Sequence, residues 1–159
     1  MIEAATLLWN FERDASYVRN LLSGLTHADS LVQPPATGNC INWILGHIVC
    51  YRTYTLAICG LPPAFEERAA QRYARDSAPV TGAAADVANL EALLAAYEQS
   101  QLALSAYLER ATPAALGEVV SAAGFTMPRG DLLTSFMRHE SYHAGQFELL
   151  REWVLAQRS

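Results

Sequence analysis

Four times along the chain, apolar side chains recur at steps of three and four residues, over runs of roughly 20 to 25 positions each. That spacing commits a chain to helix packed on helix, because each run carries one apolar stripe that must be covered by another. The first run, with Leu7, Phe11, Val18, Leu21, Leu22 and Leu25, predicts a helix over about 3 to 23, ending at Gly24. In the second, Asn39 is placed to cap a helix over about 39 to 59 whose inner face holds Cys40, Ile44, His47, Ile48, Tyr51, Thr55 and Ile58, with Gly60, Pro62 and Pro63 as its stop. A third run follows Asp86, carries Leu90, Leu93, Leu94, Tyr97, Leu104 and Leu108, and ends near Pro113. The last begins after Pro128 and Gly130 with Asp131 as cap and turns Leu132, Leu133, Phe136, Met137, His143, Phe147, Leu150 and Val154 inward. Between runs two and three, residues 61 to 85 are irregular apart from a short helix at about 64 to 75, and no segment reads as a strand. The expectation is an all-α chain, one domain over 1–159, folded as a four-helix bundle with a long crossover between helices two and three.

Composition narrows the function. Apolar residues make up 52% of the chain and charged ones 17%, the formal net charge is -5, and all eleven basic residues are arginines. With no basic run there is no surface to track phosphates, so no nucleic-acid partner is expected; without lysine there is no Schiff-base amine. Cys40, Cys50 and Cys59 are odd in number, lack CxxC spacing and read as buried apolar residues in a reducing compartment. The N-terminal stretch is no signal or transit peptide, and no apolar run approaches the roughly 20 residues that span a bilayer, so a cytoplasmic protein without a membrane partner is expected.

The chemistry gathers on histidine. His139 and His143, at i and i+4, stand roughly 40° apart around a helix and one turn apart along it, so both imidazoles reach one ion. With Glu140 between them, HESYH matches the zinc-peptidase string H-E-x-x-H, but the extended form of that motif needs Gly and His where Gln146 and Leu149 stand, and an all-helical chain offers no sheet edge for a peptide. His47, inward on the second helix, is the better third ligand. A lone inward histidine is usually a hydrogen-bonded core residue, yet three together bury six ring nitrogens in need of partners, a problem that a transition metal resolves by taking one nitrogen from each. Glu140 has two readings, a base toward an activated water or a buried partner for Arg52 or Arg138. His27 falls in a polar turn and reads as solvent-exposed or as a helix-end charge.

The segments NCINWILGHIVCYR and HESYHAGQFELLREW resemble the two metal-binding segments of the DinB-like superfamily, and the stretch GLPPAFEERAAQRYARDSAPVT with the Leu-rich third helix extends the likeness over most of the chain. The resemblance implies a bundle in up-down-down-up order, a three-histidine site at His47, His139 and His143, and a homodimer; Trp9 and Trp153, outside the core stripes, are apolar surface for one. It also implies thiol-dependent transfer to a small-molecule substrate, with bacillithiol, mycothiol or glutathione as the kind of co-substrate, while other relatives are described only as metal-dependent hydrolases. Expected, then, is an enzyme in which three histidines leave coordination positions open, zinc being the default divalent ion and nickel the runner-up; a thiol transferase leads, with a hydrolase or a non-catalytic metal-binding bundle as the alternatives.

Overall fold

The structure, a computed structural model, describes residues 2–158. It is mostly helical. Four long helices, α1 (Ala4–Leu22), α3 (Ile41–Ile58), α5 (Leu90–Leu108) and α7 (Arg129–Ala156), carry the fold, with single-turn or short helices α2 (His27–Ser30), α4 (Glu67–Gln71) and α6 (Pro113–Gly117) in the connections. The long helices pack in a ring in which α1 touches α7 and α5, and α3 touches α5 and α7. On α1 the buried residues Leu7, Phe11, Ala15, Val18 and Leu22 follow the predicted stripe.

Two starts and one stop differ from the sequence reading. The residue that precedes α3 as its cap is Cys40, not Asn39, and α7 begins two residues before Asp131, which lies in its first turn. Pro113 does not end α5; it opens α6 under a Thr112 side-chain cap, a position where its missing N–H costs nothing.

Strands are present after all. β1 (Val119–Ala122) pairs antiparallel with β2 (Phe125–Pro128), Val120 opposite Met127, around a turn in which Ala123 and Gly124 have φ of 50° and 82°. Both central residues lie in the left-handed region, as a tight hairpin turn requires. Ala-Gly supplies only one of the residues that favour it, so the turn signal in the sequence is weak. The predicted helix at 64 to 75 also shrinks to the five residues of α4.

α3 is the central helix, with fourteen of its eighteen residues buried. A single stripe does not account for that. The crossover between α3 and α5 lies over its outer side, burying Ala70, Tyr73 and Val80, and is tied down by hydrogen bonds from Cys40 Sγ to the Val80 carbonyl, Asn42 Nδ2 to the Ala88 carbonyl and Trp43 Nε1 to Ser77 Oγ. At Gly46 the Tyr73 ring sits directly on the helix: an added Cβ would lie 2.2 Å from Tyr73 Cδ1.

The apolar core is divided in two. One cluster includes Val18, Ile48, Leu93 and Phe147, the other Phe11, Leu56, Leu104 and Phe136. Along each long helix a polar residue falls between the two sets: Asp14 on α1, Arg52 on α3, Gln101 on α5 and Glu140 on α7.

Candidate metal centre

α3 and α7 meet where His47 faces His139 and His143. His47 Nε2 is 3.1 Å from His139 Nε2, which is 3.2 Å from His143 Nε2. The opposite nitrogens of two rings are committed elsewhere. His47 Nδ1 donates to the Tyr73 carbonyl at 2.7 Å, and His143 Nδ1 donates to Gln146 Oε1 at 2.6 Å. Each of those bonds holds the ring proton on Nδ1 and leaves a lone pair on Nε2, aimed at the other rings. His139 is different: its Nδ1 is buried without a partner.

The protons cannot be arranged to satisfy this cluster. If His139 carries its proton on Nε2, it can donate to one neighbour only; if on Nδ1, a buried donor is orphaned and three lone pairs converge. A cation at the centre takes the three Nε2 lone pairs and so removes their convergence, with the His139 proton then held on Nδ1. Ligand nitrogens at about 2.0–2.1 Å from a tetrahedral ion lie about 3.3 Å apart, and from an octahedral one about 3.0 Å apart, so the two separations centred on His139 fit neighbouring ligands of such an ion. The three ligand atoms lie within 4.8 Å of one another, and among the described residues no Cys, Asp or Glu joins the group. His47, His139 and His143 are therefore positioned to bind a metal ion.

The surroundings keep the rings neutral and in place. Burial lowers the His47 pKa against the opposing effect of the Tyr73 carbonyl, and burial lowers that of His143 against the Gln146 bond. Burial, reinforced by charge on His143 and His47, takes His139 down to about 3. Neutral imidazole is the form that ligates. Trp43 stacks on His47 with ring centroids 4.7 Å apart, and Tyr51 stacks on His139 at 3.9 Å.

Glu140 points into the core, 3% exposed, and both its oxygens are engaged. Arg52 Nε donates to Oε2 and Arg52 Nη2 to Oε1, each at 2.6 Å, and the Tyr97 hydroxyl donates to Oε1 at 2.7 Å. Arg52 Nη2 also donates to Gln101 Oε1 at 2.8 Å, and the guanidinium lies 4.9 Å over the Phe11 ring. Burial works against the charge on Arg52, but the Glu140 carboxylate outweighs it and raises the Arg52 pKa. Of the two arginines considered as partners from the sequence, Arg52 is the one bonded; Arg138 is exposed.

Sequence reasoning missed Tyr73, Tyr97 and Gln101. Tyr73 acts through a backbone carbonyl, which leaves no trace in residue type. His27 differs from its prediction: it opens α2 half-buried, and its Nδ1 accepts from the Leu90 backbone N–H at the start of α5. It takes no part in the cluster.

A cavity of about 560 Å³ lies beside the centre, lined among others by Pro34, Ile44, Gln146, Leu149 and Trp153. Gln146 links the two, since the same side chain holds His143. A smaller cavity of about 260 Å³ is bordered by Cys50, Tyr54 and Glu67, and neither cavity is lined by any of the three histidines. No helix among the described residues is long and apolar enough to cross a membrane.

Comparison with known proteins bears on the fold and the family. The chain is similar to the crystal structure of a conserved protein from Enterococcus faecalis, with a TM-score of 0.72 at 16% identity, over 98% of this chain and 99% of that one, which is a likeness of fold. Among curated proteins no sequence matches. The family model for the DinB superfamily matches residues 10–147, a span that includes all three histidines and their supports, and the chain belongs to the DinB superfamily.

Proposed function

We propose that this protein is a metal-dependent enzyme that transfers a low-molecular-weight thiol to an electrophilic small molecule. The observation that carries the reading is the convergence of three Nε2 lone pairs without a fourth protein ligand, the arrangement of a catalytic rather than a closed structural site. A divalent ion held there, zinc first and nickel second, supplies a Lewis acid that favours the deprotonated form of a thiol. The chain's own residues hold the three imidazoles neutral and oriented, Tyr73 and Gln146 fixing two of them, and Trp43 and Tyr51 shield the rings with apolar surface. The groove at Pro34, Ile44, Leu149 and Trp153 is of a volume that suits a small-molecule substrate and begins at Gln146.

Against hydrolysis stands the state of Glu140, whose oxygens are held by Arg52 and Tyr97 and so are poorly disposed to take a proton from water. We assign Glu140 to positioning and not to general-base catalysis. We also read the chain as one cytoplasmic domain in up-down-down-up order; Asp14 beside Ser141 with Leu21 beside Arg151, Asn42 beside Ala88 with Arg52 beside Gln101, and Ile58 beside Arg129 with Arg52 beside Glu140 support that order. The exposed Trp9 and Tyr17 on α1, with Arg13 between them, support a homodimer, which sedimentation at micromolar concentration tests by showing a single monomeric species or a larger one.

Metal analysis of protein purified without a histidine tag, combined with a transfer assay across several low-molecular-weight thiols, tests the enzyme. The expected result is close to one ion per chain, lost from His47→Ala, His139→Ala and His143→Ala but not from His27→Ala, and thiol-dependent turnover that follows the metal. Full metal retention in His47→Ala would sink the cross-helix site; turnover that needs water but no thiol would make the protein a hydrolase.

A further inference from the structure

The charged layer that divides the core sits at the level of the histidine cluster, and the two are joined through the backbone. Glu140 lies between His139 and His143 on α7, and Arg52 lies five residues beyond His47 on α3. Both helices thus carry a ligand toward the cluster and a charged group toward the core within little more than one turn. The Arg52 and Glu140 side chains are 1% and 5% exposed, so water does not loosen their pairing.

A bidentate guanidinium–carboxylate contact is directional: its two parallel bonds, here both 2.6 Å, fix the rotation as well as the translation of one partner against the other. Apolar side chains alone do not do this, since Leu, Ile and Phe pack acceptably in several neighbouring registers. A slip of one residue moves a helix about 1.5 Å along its axis and turns its side chains by about 100°, which would dissolve an Nε2 convergence at 3.1 Å. Tyr97 and Gln101 extend the device to α5, so that α7 and α3 are referred to a third helix.

We infer that Arg52 and Glu140, supported by Tyr97 and Gln101, form a register key that sets α7 against α3 and thereby places the three imidazoles on one ion. They are positioning residues and touch neither the ion nor substrate. The inference rests on the metal reading proposed above and adds to it a cause for the geometry. A buried ion pair gives little net stability over an apolar layer of equal volume, and register is its best-attested use.

The test compares the parent with a variant whose whole layer is apolar, Arg52→Met with Tyr97→Phe, Gln101→Leu and Glu140→Met, and with the mild single changes Glu140→Gln and Arg52→Lys. Cobalt(II) affinity is measured by chelator competition and the cobalt visible spectrum is recorded, alongside helix content and thermal unfolding. Expected are a folded apolar-layer variant that binds cobalt at least tenfold more weakly with an altered spectrum, and smaller losses of the same kind in the single variants, Arg52→Lys keeping the charge but not the fork. Should the apolar-layer variant fail to fold, the same losses in the folded single variants decide the matter. Parental affinity and spectrum in any folded variant that lacks the Glu140 carboxylate would overturn the key while leaving the metal site standing. A parent protein that binds no cobalt, zinc or nickel would overturn the metal reading, and the key with it.

Discussion

Two polar clusters lie side by side in the same bundle, and they solve the problem of burial in opposite ways. Around Arg52 and Glu140 the charges cancel, and three helices supply hydrogen bonds: Tyr97 and Gln101 extend what the ion pair begins, leaving Arg52 Nη1 without a partner. Around His139 the count does not close, because one ring must serve two neighbouring lone pairs and still leave its own Nδ1 without a partner. The first cluster balances its own charge; the second calls for something added. A buried polar cluster reads as structure when its charges offset one another and as a site when lone pairs converge with nothing between them.

The sharpest way to break this contrast is to delete one member from each cluster in metal-free protein. Glu140→Ala strands the Arg52 guanidinium in the core and is expected to lower stability by about 3–5 kcal/mol, read from urea unfolding. That is a large share of the roughly 5–15 kcal/mol that holds a domain folded. A change below about 1 kcal/mol would mean that water reaches Arg52 and that the layer is not closed. Next in size is Gly46→Ala, whose new methyl would meet Tyr73 Cγ and Cδ1 at 2.3 and 2.2 Å. The ring has nowhere to go, since its hydroxyl accepts from the Ala88 N–H and donates to Asn42 Oδ1. Overpacking of this kind costs about 1–3 kcal/mol, and because the Tyr73 carbonyl holds His47 the same variant should also bind metal more weakly. Isothermal titration that finds parental affinity would uncouple the crossover from the centre.

His139→Ala is expected to change metal-free stability by no more than about 1 kcal/mol, since the lost packing is offset by relief of the crowded lone pairs. A loss like that of Glu140→Ala would show that the histidine cluster is satisfied without an ion. The smallest effect concerns the thiols. Burial raises the pKa of Cys40 and Cys50, and carries Cys59 up to about 12. At pH 8 only about one Cys59 in ten thousand is then thiolate, so alkylation of folded protein should be slow at all three positions and rapid once it is unfolded. Fast modification of one cysteine in folded protein would show that its thiol is open to solvent and not buried.

The sequence carried the helices and the ligands for different reasons. α1, α3, α5 and α7 were legible because each has an apolar period longer than any competing signal, and His139 and His143 because helix geometry makes i and i+4 neighbours whatever the tertiary fold. His47 needed one more step, its inward face, and that step held. What escaped depends on contacts that residue type does not encode. The clamp on His47 comes from a main-chain carbonyl that any residue at position 73 could offer, and although the nearly continuous apolar run from Ile41 to Cys50 suits burial on all sides, nothing in it says that the crossover is what covers the outer one. The hairpin from Val119 to Pro128 is too short for alternation to stand out, and its turn places Ala123 at a positive φ that a sequence reader would assign to Asn or Asp. For Glu140 the string H-E-x-x-H pointed toward a base, whereas the two bonds from Arg52 show a carboxylate already occupied.

His47 and His139 stand 92 positions apart in the chain, so their meeting closes a long loop. The unfolded chain therefore has no preformed place for an ion, and binding would act on the native side of the folding equilibrium. Since α7 is the last long helix, an ion shared between it and α3 would work as a late fastener: it would add little to the search for the fold and much to the barrier against leaving it. Metal loading would accordingly lengthen the lifetime of the folded protein more than it shortens the time taken to reach it.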